Sequence, residues 1–430
     1  MSDMAWISTR GASPPVPFID ALFAGTAPDG GLYMPARIDP LPPGTLDALR
    51  GASLVDIATR IGAHLLREEI TSEALGPLIE DALDFPVPLV QVADRVWVLE
   101  LFHGPTLAFK DVGARVQARL LHHFTDGTPL TILVATSGDT GSAVAQAFHR
   151  VPDTRVVVLY PEGKVSDVQE AQMASLGDNI TAVAVRGTFD DCQRLVKQAF
   201  ADDALRQHVW LTPANSINLG RLLPQVFYYF VTLGLGEPAG PVVSVPSGNF
   251  GNLTAGLIAK RIGLPARHFV AATNVNDAVP AYLRSGRYEP RPSIRTVANA
   301  MDVGAPSNFE RMQAMYGGDI EALRRDVTGC AYDDARIVAE IGTVYRQEGY
   351  LLDPHSTVGW LALQEVLATD RDAAGVFLAT AHPAKFREVV EPAIGEPVPL
   401  PAALADALAR PRRSKTMAAD YDELDKFLRS

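Results

Sequence analysis

The segment around Lys110 carries the side chain whose chemistry is easiest to infer from the sequence. Lys110 follows the almost uncharged run 102–109 and opens a stretch in which Val112, Val116 and Leu120 recur at helical spacing. Apolar surroundings disfavour an ammonium, and the positive end of the following helix repels it, so we expect this amine to lose its proton easily. A neutral amine held in a pocket is the group that Schiff-base chemistry requires. Taken alone, the segment is also compatible with a surface lysine at a helix start.

Two further segments share one pattern, in which a β-rich run leads into a glycine-containing loop that opens a helix. In the first, 131–135 is followed by the loop 136–141; in the second, 242–245 is followed by the loop 246–252. Free backbone amides at a helix start make such a loop an anion site, although each loop by itself could be a simple strand-to-helix connector. Neither loop has the dinucleotide or the Walker pattern. Together with Lys110, the two loops favour a phosphorylated carbonyl cofactor and a second anionic ligand.

Three other polar residues lie at positions typical of a site. Asn215 and Arg221 lie in the segment that leads into an apolar helix, and the planar guanidinium of Arg221 suits phosphate oxygens. The alternative is that Asn215 and Asn218 cap a helix while Arg221 is solvated. Thr380 ends a β-rich run, where it could bind a ligand or serve only as a β-branched strand residue.

The elements that would position these residues alternate along the chain. Residues 1–95 show helical periodicity and are predicted to form a small, mainly helical N-terminal domain. After that point, strands alternate with helices, which predicts an α/β fold of two lobes with largely parallel sheets. The predicted strands are 96–101, 130–135, 155–160, 180–185, 242–245, 268–273 and 375–380. The predicted domains are 96–123 with 237–400 as the larger lobe, 124–236 as the smaller lobe, a hinge at 233–241 and a helical tail at 401–430.

Composition excludes several classes of function. The formal net charge is −12, so we expect no binding to nucleic acid or to anionic membranes. Cys192 and Cys330 form no disulfide framework, which suits a reducing compartment, and we predict a cytoplasmic protein. The nine histidines lack ligand spacing, so no metal is predicted.

Taken together, the motifs resemble those of the threonine synthase family, which uses pyridoxal phosphate. The match lies in His103-Gly104-Pro105-Thr106, in Phe109-Lys110-Asp111, in the loop 247–252 and in the run 380–386, and it extends over essentially the whole chain. The resemblance implies the fold type II architecture of pyridoxal-phosphate enzymes. It also implies pyridoxal 5'-phosphate as the cofactor.

The same resemblance implies a role for each candidate residue. Lys110 would be the catalytic lysine that holds the cofactor, and Thr380 would meet its pyridine nitrogen. Asp139 stands where related enzymes often have Asn, and we expect its carboxylate to turn toward backbone amides. The implied cofactor-phosphate residues are Gly248, Asn249, Phe250, Gly251 and Asn252, and the implied substrate-binding residues are Ser137, Gly138, Asp139, Thr140, Asn215 and Arg221.

The activity implied by the family is a carbon–oxygen lyase reaction on a phosphate ester. O-phospho-L-homoserine and water would give L-threonine and phosphate by γ-elimination and β-addition of water, the last step of threonine biosynthesis. Two alternatives stay open: a dehydratase-like or phospholyase β-elimination on the same fold, and a pyridoxal-phosphate-binding module without turnover. The sequence predicts no effector domain, and it leaves open whether the protein is a monomer or a homodimer.

Overall fold

The N-terminal part of the chain forms four helices and a small sheet in the computed structural model, which describes residues 5–136, 138–370 and 372–430. Strands β1 (Trp6–Ser8) and β2 (Tyr33–Pro35) pair antiparallel. The helices are α1 (Phe18–Ala24), α2 (Thr45–Leu49), α3 (Leu54–Leu65) and α4 (Ser72–Ala82). Helix α3 begins after Ser53, whose side chain accepts a hydrogen bond from the Asp56 amide. The predicted helical N-terminal domain is confirmed, with a two-stranded sheet added to it.

The rest of the chain is built on two sheets. The larger has six strands in the order β11-β10-β9-β12-β4-β3, and the smaller has five in the order β13-β7-β6-β5-β8. Every pair is parallel except β3 with β4. The strands are β3 (Leu89–Ala93), β4 (Val96–Glu100), β5 (Leu130–Ala135), β6 (Thr154–Pro161), β7 (Ile180–Arg186), β8 (Leu211–Thr212), β9 (Val242–Pro246), β10 (His268–Thr273), β11 (Val327–Ala331), β12 (Gly375–Ala379) and β13 (Ser414–Ala418).

Helices cover the faces of both sheets. Helix α17 packs on β9, β10 and β12, which leaves every residue of β9 and β12 buried. The helices are α5 (Lys110–Thr125), α6 (Asp139–Phe148), α7 (Asp167–Ala174), α8 (Phe189–Ala201), α9 (Asp203–Arg206), α10 (Leu219–Leu222), α11 (Gln225–Tyr229), α12 (Gly251–Arg261), α13 (Ala278–Ser285), α14 (Phe309–Met315), α15 (Ile320–Asp326), α16 (Asp334–Glu348), α17 (Pro354–Leu367), α18 (Arg387–Ile394), α19 (Ala402–Ala409) and α20 (Tyr421–Arg429). Short 3-10 helices cover Phe230–Leu235, Asn299–Met301 and Pro383–Phe386. The predicted α/β fold with largely parallel sheets is confirmed.

The C-terminal tail differs from the helical segment that the sequence predicted. Between α19 and α20, strand β13 adds to the smaller sheet as an edge strand parallel to β7. Of its five residues only Met417 is buried, so the run has no apolar pattern to indicate a strand. Arg155 donates hydrogen bonds to the carbonyl oxygens of Phe427 and Leu428, which fixes α20 against the same lobe.

Helix α5 lies between the two lobes. It follows β4 of the larger sheet, yet it packs against α6 of the smaller lobe and against α4 of the N-terminal domain. The limits 96–123, 124–236 and 237–400 and the hinge at 233–241 therefore stay predictions. Within the described ranges, no helix combines the length and apolar character needed to cross a bilayer.

Candidate active site

Lys110 and Thr380 lie side by side where β4 and β12 of the larger sheet end. The Phe109 amide donates to the Thr380 carbonyl at 2.9 Å, and the His382 amide donates to the Leu107 carbonyl at 3.0 Å. These bonds join the chain before α5 to the chain after β12. Ligands of open α/β sheets bind at the carboxyl ends of the strands, which is where this pair stands.

A tight turn fixes the approach to Lys110. The Asp111 carboxylate accepts hydrogen bonds from the Thr106 amide at 2.9 Å and from the Thr106 hydroxyl at 2.6 Å. A Cβ atom at Gly104 would lie 2.5 Å from Asp111 Oδ2, so the turn leaves no room for a side chain there. Burial raises the pKa of Asp111 to about 6.

The Lys110 amine is held in surroundings that oppose its charge. Burial lowers the pKa of Lys110 to about 8, and the cations of Arg221 and Lys385 act in the same direction while the Asp139 carboxylate opposes them. Near pH 8, half of the amine is therefore neutral. The weakly basic lysine that the sequence predicted is present, with burial as its main cause.

The loop 246–252 follows β9, which is hydrogen-bonded to β12, so it stands beside Thr380. Asn249 ties this loop to its neighbours: its amide nitrogen donates to Ser216 Oγ at 2.7 Å, and its side-chain oxygen accepts from the Ser307 amide at 2.6 Å. Phe250 adopts a φ of 61°, in the left-handed region, immediately before α12 begins at Gly251. The backbone thus turns sharply and directs the first amides of α12 toward the strand ends.

Asn252, in the first turn of α12, has a side chain fixed in one orientation. Its Oδ1 accepts hydrogen bonds from the hydroxyls of Tyr228 and Tyr229, both at 2.6 Å. Its Nδ2 is buried and has no partner among the described residues. Buried donors are nearly always paired in folded proteins, so this amide is suited to an acceptor from a ligand.

The loop 136–141 of the smaller lobe is built around Thr136. Thr136 Oγ1 accepts from the amides of Gly138 at 3.1 Å and Gly141 at 2.9 Å. A Cβ atom at Gly141 would lie 2.3 Å from Thr136 Cγ2, so glycine is required for this close approach. Thr140 follows in the first turn of α6 and is half-buried. The predicted site residue Ser137 lies outside the described residues.

Among the described residues, the partners of Asp139 at the start of α6 are side chains, one of them a cation, and not the backbone amides that were expected. Its Oδ1 lies 2.9 Å from the Lys385 ammonium and accepts a hydrogen bond of 3.1 Å from Gln169. Burial alone would raise the pKa of Asp139, but Lys385 and Lys110 together hold it well below its usual range. The carboxylate thus forms an ion pair with Lys385, a residue that follows β12 of the larger sheet. The sequence pattern gave no reason to expect this ion pair.

Arg221, in α10, is a buried cation with neutral partners. It is 2% exposed, its Nη1 donates to the Ala214 carbonyl at 2.8 Å, and its Nε is buried without a partner among the described residues. Burial lowers the pKa of Arg221 to about 10. The alternative of a solvated arginine is therefore wrong. Asp111 acts on Arg221 electrostatically, but no carboxylate of the described residues lies within ion-pair distance, so the buried guanidinium is suited to an anionic ligand.

Asn215 and Asn218 separate into two roles. Asn218 caps α10, since its side chain accepts from the Gly220 amide at 2.8 Å and donates to the Leu22 carbonyl at 2.7 Å. Asn215 Oδ1, in contrast, is buried without a partner in the part of the chain described. Arg221 Nε lies beside α5, since a Cβ atom at Gly113 of that helix would be 3.4 Å from it. Gly113 is about one helical turn after Lys110, so the guanidinium lies near the lysine segment.

The structure thus brings the predicted residues of the two loops, the lysine segment and Thr380 to the ends of neighbouring elements. Sequence reasoning missed Lys385, Tyr228 and Tyr229, which contact Asp139 and Asn252. A lysine within the apolar run 381–386 was the one available signal for Lys385. Among the described residues, no group of histidine, cysteine or carboxylate side chains has metal-site geometry.

The donor set fits a phosphorylated carbonyl cofactor. Lys110 supplies a weakly basic amine, and Asn252 Nδ2 supplies a donor for a phosphate that is unpaired among the described residues. The first amides of a helix such as α12 are further donors without intrahelical partners. A separate buried donor, Arg221 Nε, remains for a second anion.

Comparisons with known proteins agree with this arrangement. Residues 84–380 match the family model "Pyridoxal-phosphate dependent enzyme", residues 5–83 match "Threonine synthase N terminus", and residues 356–428 match "Threonine synthase, C-terminal". The chain is 44% identical over 421 residues to threonine synthase of Serratia marcescens, with 96% of each chain covered. It is 43% identical over 416 residues to that of Escherichia coli K12, again covering 96% of each. The crystal structure of pyridoxal-phosphate-bound threonine synthase from Brucella melitensis superposes with a TM-score of 0.94 at 38% identity, covering 99% of each chain.

Proposed function

This chain belongs to the threonine synthase family of pyridoxal-phosphate-dependent enzymes, and we propose that the site at Lys110 converts O-phospho-L-homoserine and water to L-threonine and phosphate. The observation that carries the proposal is the pairing of a weakly basic lysine with a buried, unpaired Arg221 Nε. The first suits a carbonyl cofactor, and the second suits the phosphate of a substrate. The protein is accordingly a carbon–oxygen lyase of threonine biosynthesis.

We assign the cofactor to the larger lobe. Lys110 would hold its carbonyl carbon, the loop Gly248–Asn252 would hold its phosphate, and Thr380 would face its ring nitrogen. When bound, pyridoxal phosphate supplies a conjugated system that accepts the electron pair left on a substrate carbon after proton removal. A hydroxyl such as that of Thr380 does not keep a ring nitrogen protonated, so much of the charge stabilisation falls to the cations around Lys110.

The substrate phosphate is assigned to the interface of the lobes. The buried guanidinium of Arg221 and the side chain of Asn215 would bind it from one side, and the amides of Asp139 and Thr140 from the other, while the Gly138 amide is already bonded to Thr136 Oγ1 and would shape the loop. Ser137 keeps its predicted place in this set. Because these groups belong to the start of α6, to α10 and to the segment before α10, they would fix the γ-carbon of the substrate relative to Lys110.

Lys110 moves the protons in the reaction. Once the substrate amine takes its place at the cofactor carbonyl carbon, Lys110 would remove in turn the proton of the α-carbon and one proton of the β-carbon, and phosphate would leave the γ-carbon while Arg221 holds it. One of these protons would go to the γ-carbon to form the methyl group. Water would then add at the β-carbon and give its remaining proton to the released phosphate, and Lys110 would return the other proton to the α-carbon to complete threonine. A pKa near 8 lets one amine serve as base and then as acid near neutral pH.

Two alternatives differ in the substrate that they predict. A β-eliminating dehydratase would act on serine or threonine and has no use for a buried cation such as Arg221. A phospholyase could also use Arg221, but it would act on a shorter phosphorylated substrate and form no threonine. A binding module without turnover has no use for a lysine with a lowered pKa.

A cytoplasmic location is supported by the two free, buried cysteines, and the choice between monomer and homodimer stays open.

The test is an absorbance spectrum of the purified protein, followed by addition of O-phosphohomoserine with phosphate and threonine measured together. We expect a near-visible band that is lost in Lys110→Ala and retained in Lys260→Ala, a lysine ion-paired with Asp326 elsewhere. Phosphate and threonine should form in equal amounts. A band with turnover of serine but no phosphate release would favour the dehydratase, and the absence of any band would contradict the role of Lys110.

A further inference from the structure

Lys385 stands in the site without a role in the reaction described above. It lies in the 3-10 helix Pro383–Phe386, a few residues beyond Thr380, and its side chain is 1% exposed. Its ammonium lies 2.9 Å from Asp139 Oδ1 and donates to the Thr106 carbonyl at 2.8 Å. A fully buried lysine with these two partners joins the larger lobe to the start of α6 in the smaller lobe.

The partners of Lys385 are themselves held in place. Gln169 of α7 donates to Asp139 Oδ1 at 3.1 Å, and Gln172 of the same helix donates to the Thr106 carbonyl at 3.2 Å. Thr106 in turn is bound to Asp111, the neighbour of Lys110. Lys385 therefore closes a network that runs from the smaller lobe to the turn before α5.

The charges around Lys110 show why this network matters. Asp139 of α6 is the anion that favours a protonated Lys110, whereas Arg221 of α10 and Lys385 oppose it. Lys385 itself is also within electrostatic reach of Asp111 and His382. Lys110 is the other cation that acts on Asp139, so if Asp139 lacked Lys385, its carboxylate would favour the protonated form of the amine needed for chemistry.

We propose that Lys385 is a positioning residue of this site, which occupies the Asp139 carboxylate so that Asp139 does not form an ion pair with Lys110. This inference deepens the proposed function and rests on it for the meaning of a neutral Lys110. It assigns Asp139 and Lys385 as one unit, in which each charge is needed only because the other is present. Removing both charges should then be milder than removing Lys385 alone.

The test measures how easily Lys110 loses its proton in the full-length protein freed of cofactor. Reductive methylation from pH 6 to 11, followed by mass spectrometry of the Lys110 peptide, gives the pH midpoint of labelling. The Lys260 peptide in each sample is the internal reference, and its midpoint should not move. We expect Lys385→Met to raise the Lys110 midpoint by one pH unit or more, Asp139→Asn to lower it, and the double variant to return it near the wild-type value.

Opposite movements in the two single variants, with restoration in the double variant, would support the inference. An unchanged Lys110 midpoint would overturn it. So would a midpoint that moves in the same direction in both single variants, because general structural damage would affect both alike. If Lys385→Met does not fold, the comparison of Asp139→Asn with the double variant decides in the same way. Failure of the proposed function is seen separately, as wild-type protein that releases no phosphate from O-phosphohomoserine.

Discussion

The charge state of Lys110 is a balance between burial and three neighbouring side chains. Burial is the largest of these effects and favours the neutral amine, and the cations of Arg221 and Lys385 reinforce it against Asp139. Such a balance costs stability in the cofactor-free protein, because a folded state that disfavours an ammonium is penalised wherever the unfolded chain would carry one. Function and stability are therefore in conflict at this residue.

Replacing Lys110 by Met should stabilise the cofactor-free protein at neutral pH. The pKa of Lys110 falls from 10.5 to about 8 on folding, which corresponds to at most about 3 kcal/mol of unfolding free energy. Between those pH values the unfolded wild-type chain binds more protons than the folded one, so wild-type stability rises with pH and the advantage of Lys110→Met shrinks. Urea unfolding of both proteins from pH 7 to 10.5 measures this difference. A constant or growing advantage would contradict the lowered pKa.

Replacing Gly248 by Ala should weaken cofactor binding while leaving the fold intact. A Cβ atom there would lie 2.4 Å from the Ala300 carbonyl oxygen and 3.0 Å from Met301 Cα, and neither backbone atom can move freely. The loop would shift, and we expect about a tenfold or larger loss of affinity for pyridoxal phosphate, with about 1–3 kcal/mol lost from overpacking.

Gly234→Ala is the matched control for this change, because a Cβ atom at Gly234 has no neighbour within 4 Å. Fluorescence titration of the cofactor-free variants with pyridoxal phosphate gives the affinities. Equal affinities for the two variants would show that the contact between Gly248 and Ala300 does not shape the loop.

At the scale of single elements, the orientation of the Asn252 side chain at the start of α12 depends on two tyrosines of α11. Burial raises the pKa values of Tyr228 and Tyr229 well above the usual range, so both hydroxyls remain hydrogen-bond donors. The Tyr228 hydroxyl donates to Asn252 Oδ1, and the Tyr229 hydroxyl donates to Oδ1 with the Asn252 carbonyl oxygen as a second acceptor at 2.9 Å, so rotation of the amide would break the bond from Tyr228 and weaken that from Tyr229. Two side chains of α11 thus fix the orientation of the Asn252 side chain on α12.

The double change of Tyr228 and Tyr229 to Phe should release this amide. Asn252 Oδ1 would be left buried without a donor, at a cost of about 1–3 kcal/mol, and Nδ2 would no longer be fixed toward a phosphate. We expect affinity for pyridoxal phosphate to fall about tenfold, while affinity for pyridoxal, which lacks the phosphate, stays within a factor of two. Tyr345→Phe, which removes an exposed hydroxyl bonded to Glu396, is the control. Equal losses for both ligands would indicate general damage instead.

The same scale shows what the sequence could predict. The seven predicted strands are all present because buried parallel strands are continuous apolar runs. Strands β3, β11 and β13 were missed because they have no, two and one buried residues respectively, and β1, β2 and β8 were missed because they have only three, three and two residues. The site loops were predictable from glycine pattern and resemblance. Partners such as Lys385 and Tyr228 were not, because contacts between elements distant in sequence leave no local pattern.

At the scale of the whole molecule, the C-terminal tail makes the smaller lobe a composite of two chain segments. Strand β13 extends its sheet, and α20 packs against α8 on one face of that sheet. The apolar cluster there includes Leu133 of β5, the strand that leads into the loop 136–141, and Leu424 of α20. The last residues of the chain therefore support the loop assigned to the substrate phosphate.

Leu424→Ala should loosen the smaller lobe and leave the larger one unchanged. Leu424 is fully buried, so its truncation should cost about 2–5 kcal/mol, whereas Leu400→Ala, at a position 37% exposed, should cost within about 0.5 kcal/mol. Among the described residues, the apolar cluster that contains Leu424 includes residues of β5, β6 and β7 and none of the larger sheet, so we expect faster amide hydrogen exchange in β5, β6 and β7 but not in β9 and β12. The cofactor band should persist while the KM for O-phosphohomoserine rises, since Lys110 and the loop Gly248–Asn252 are not part of the apolar cluster around Leu424. Equal acceleration of exchange in both sheets would show instead that the two lobes unfold as one cooperative unit.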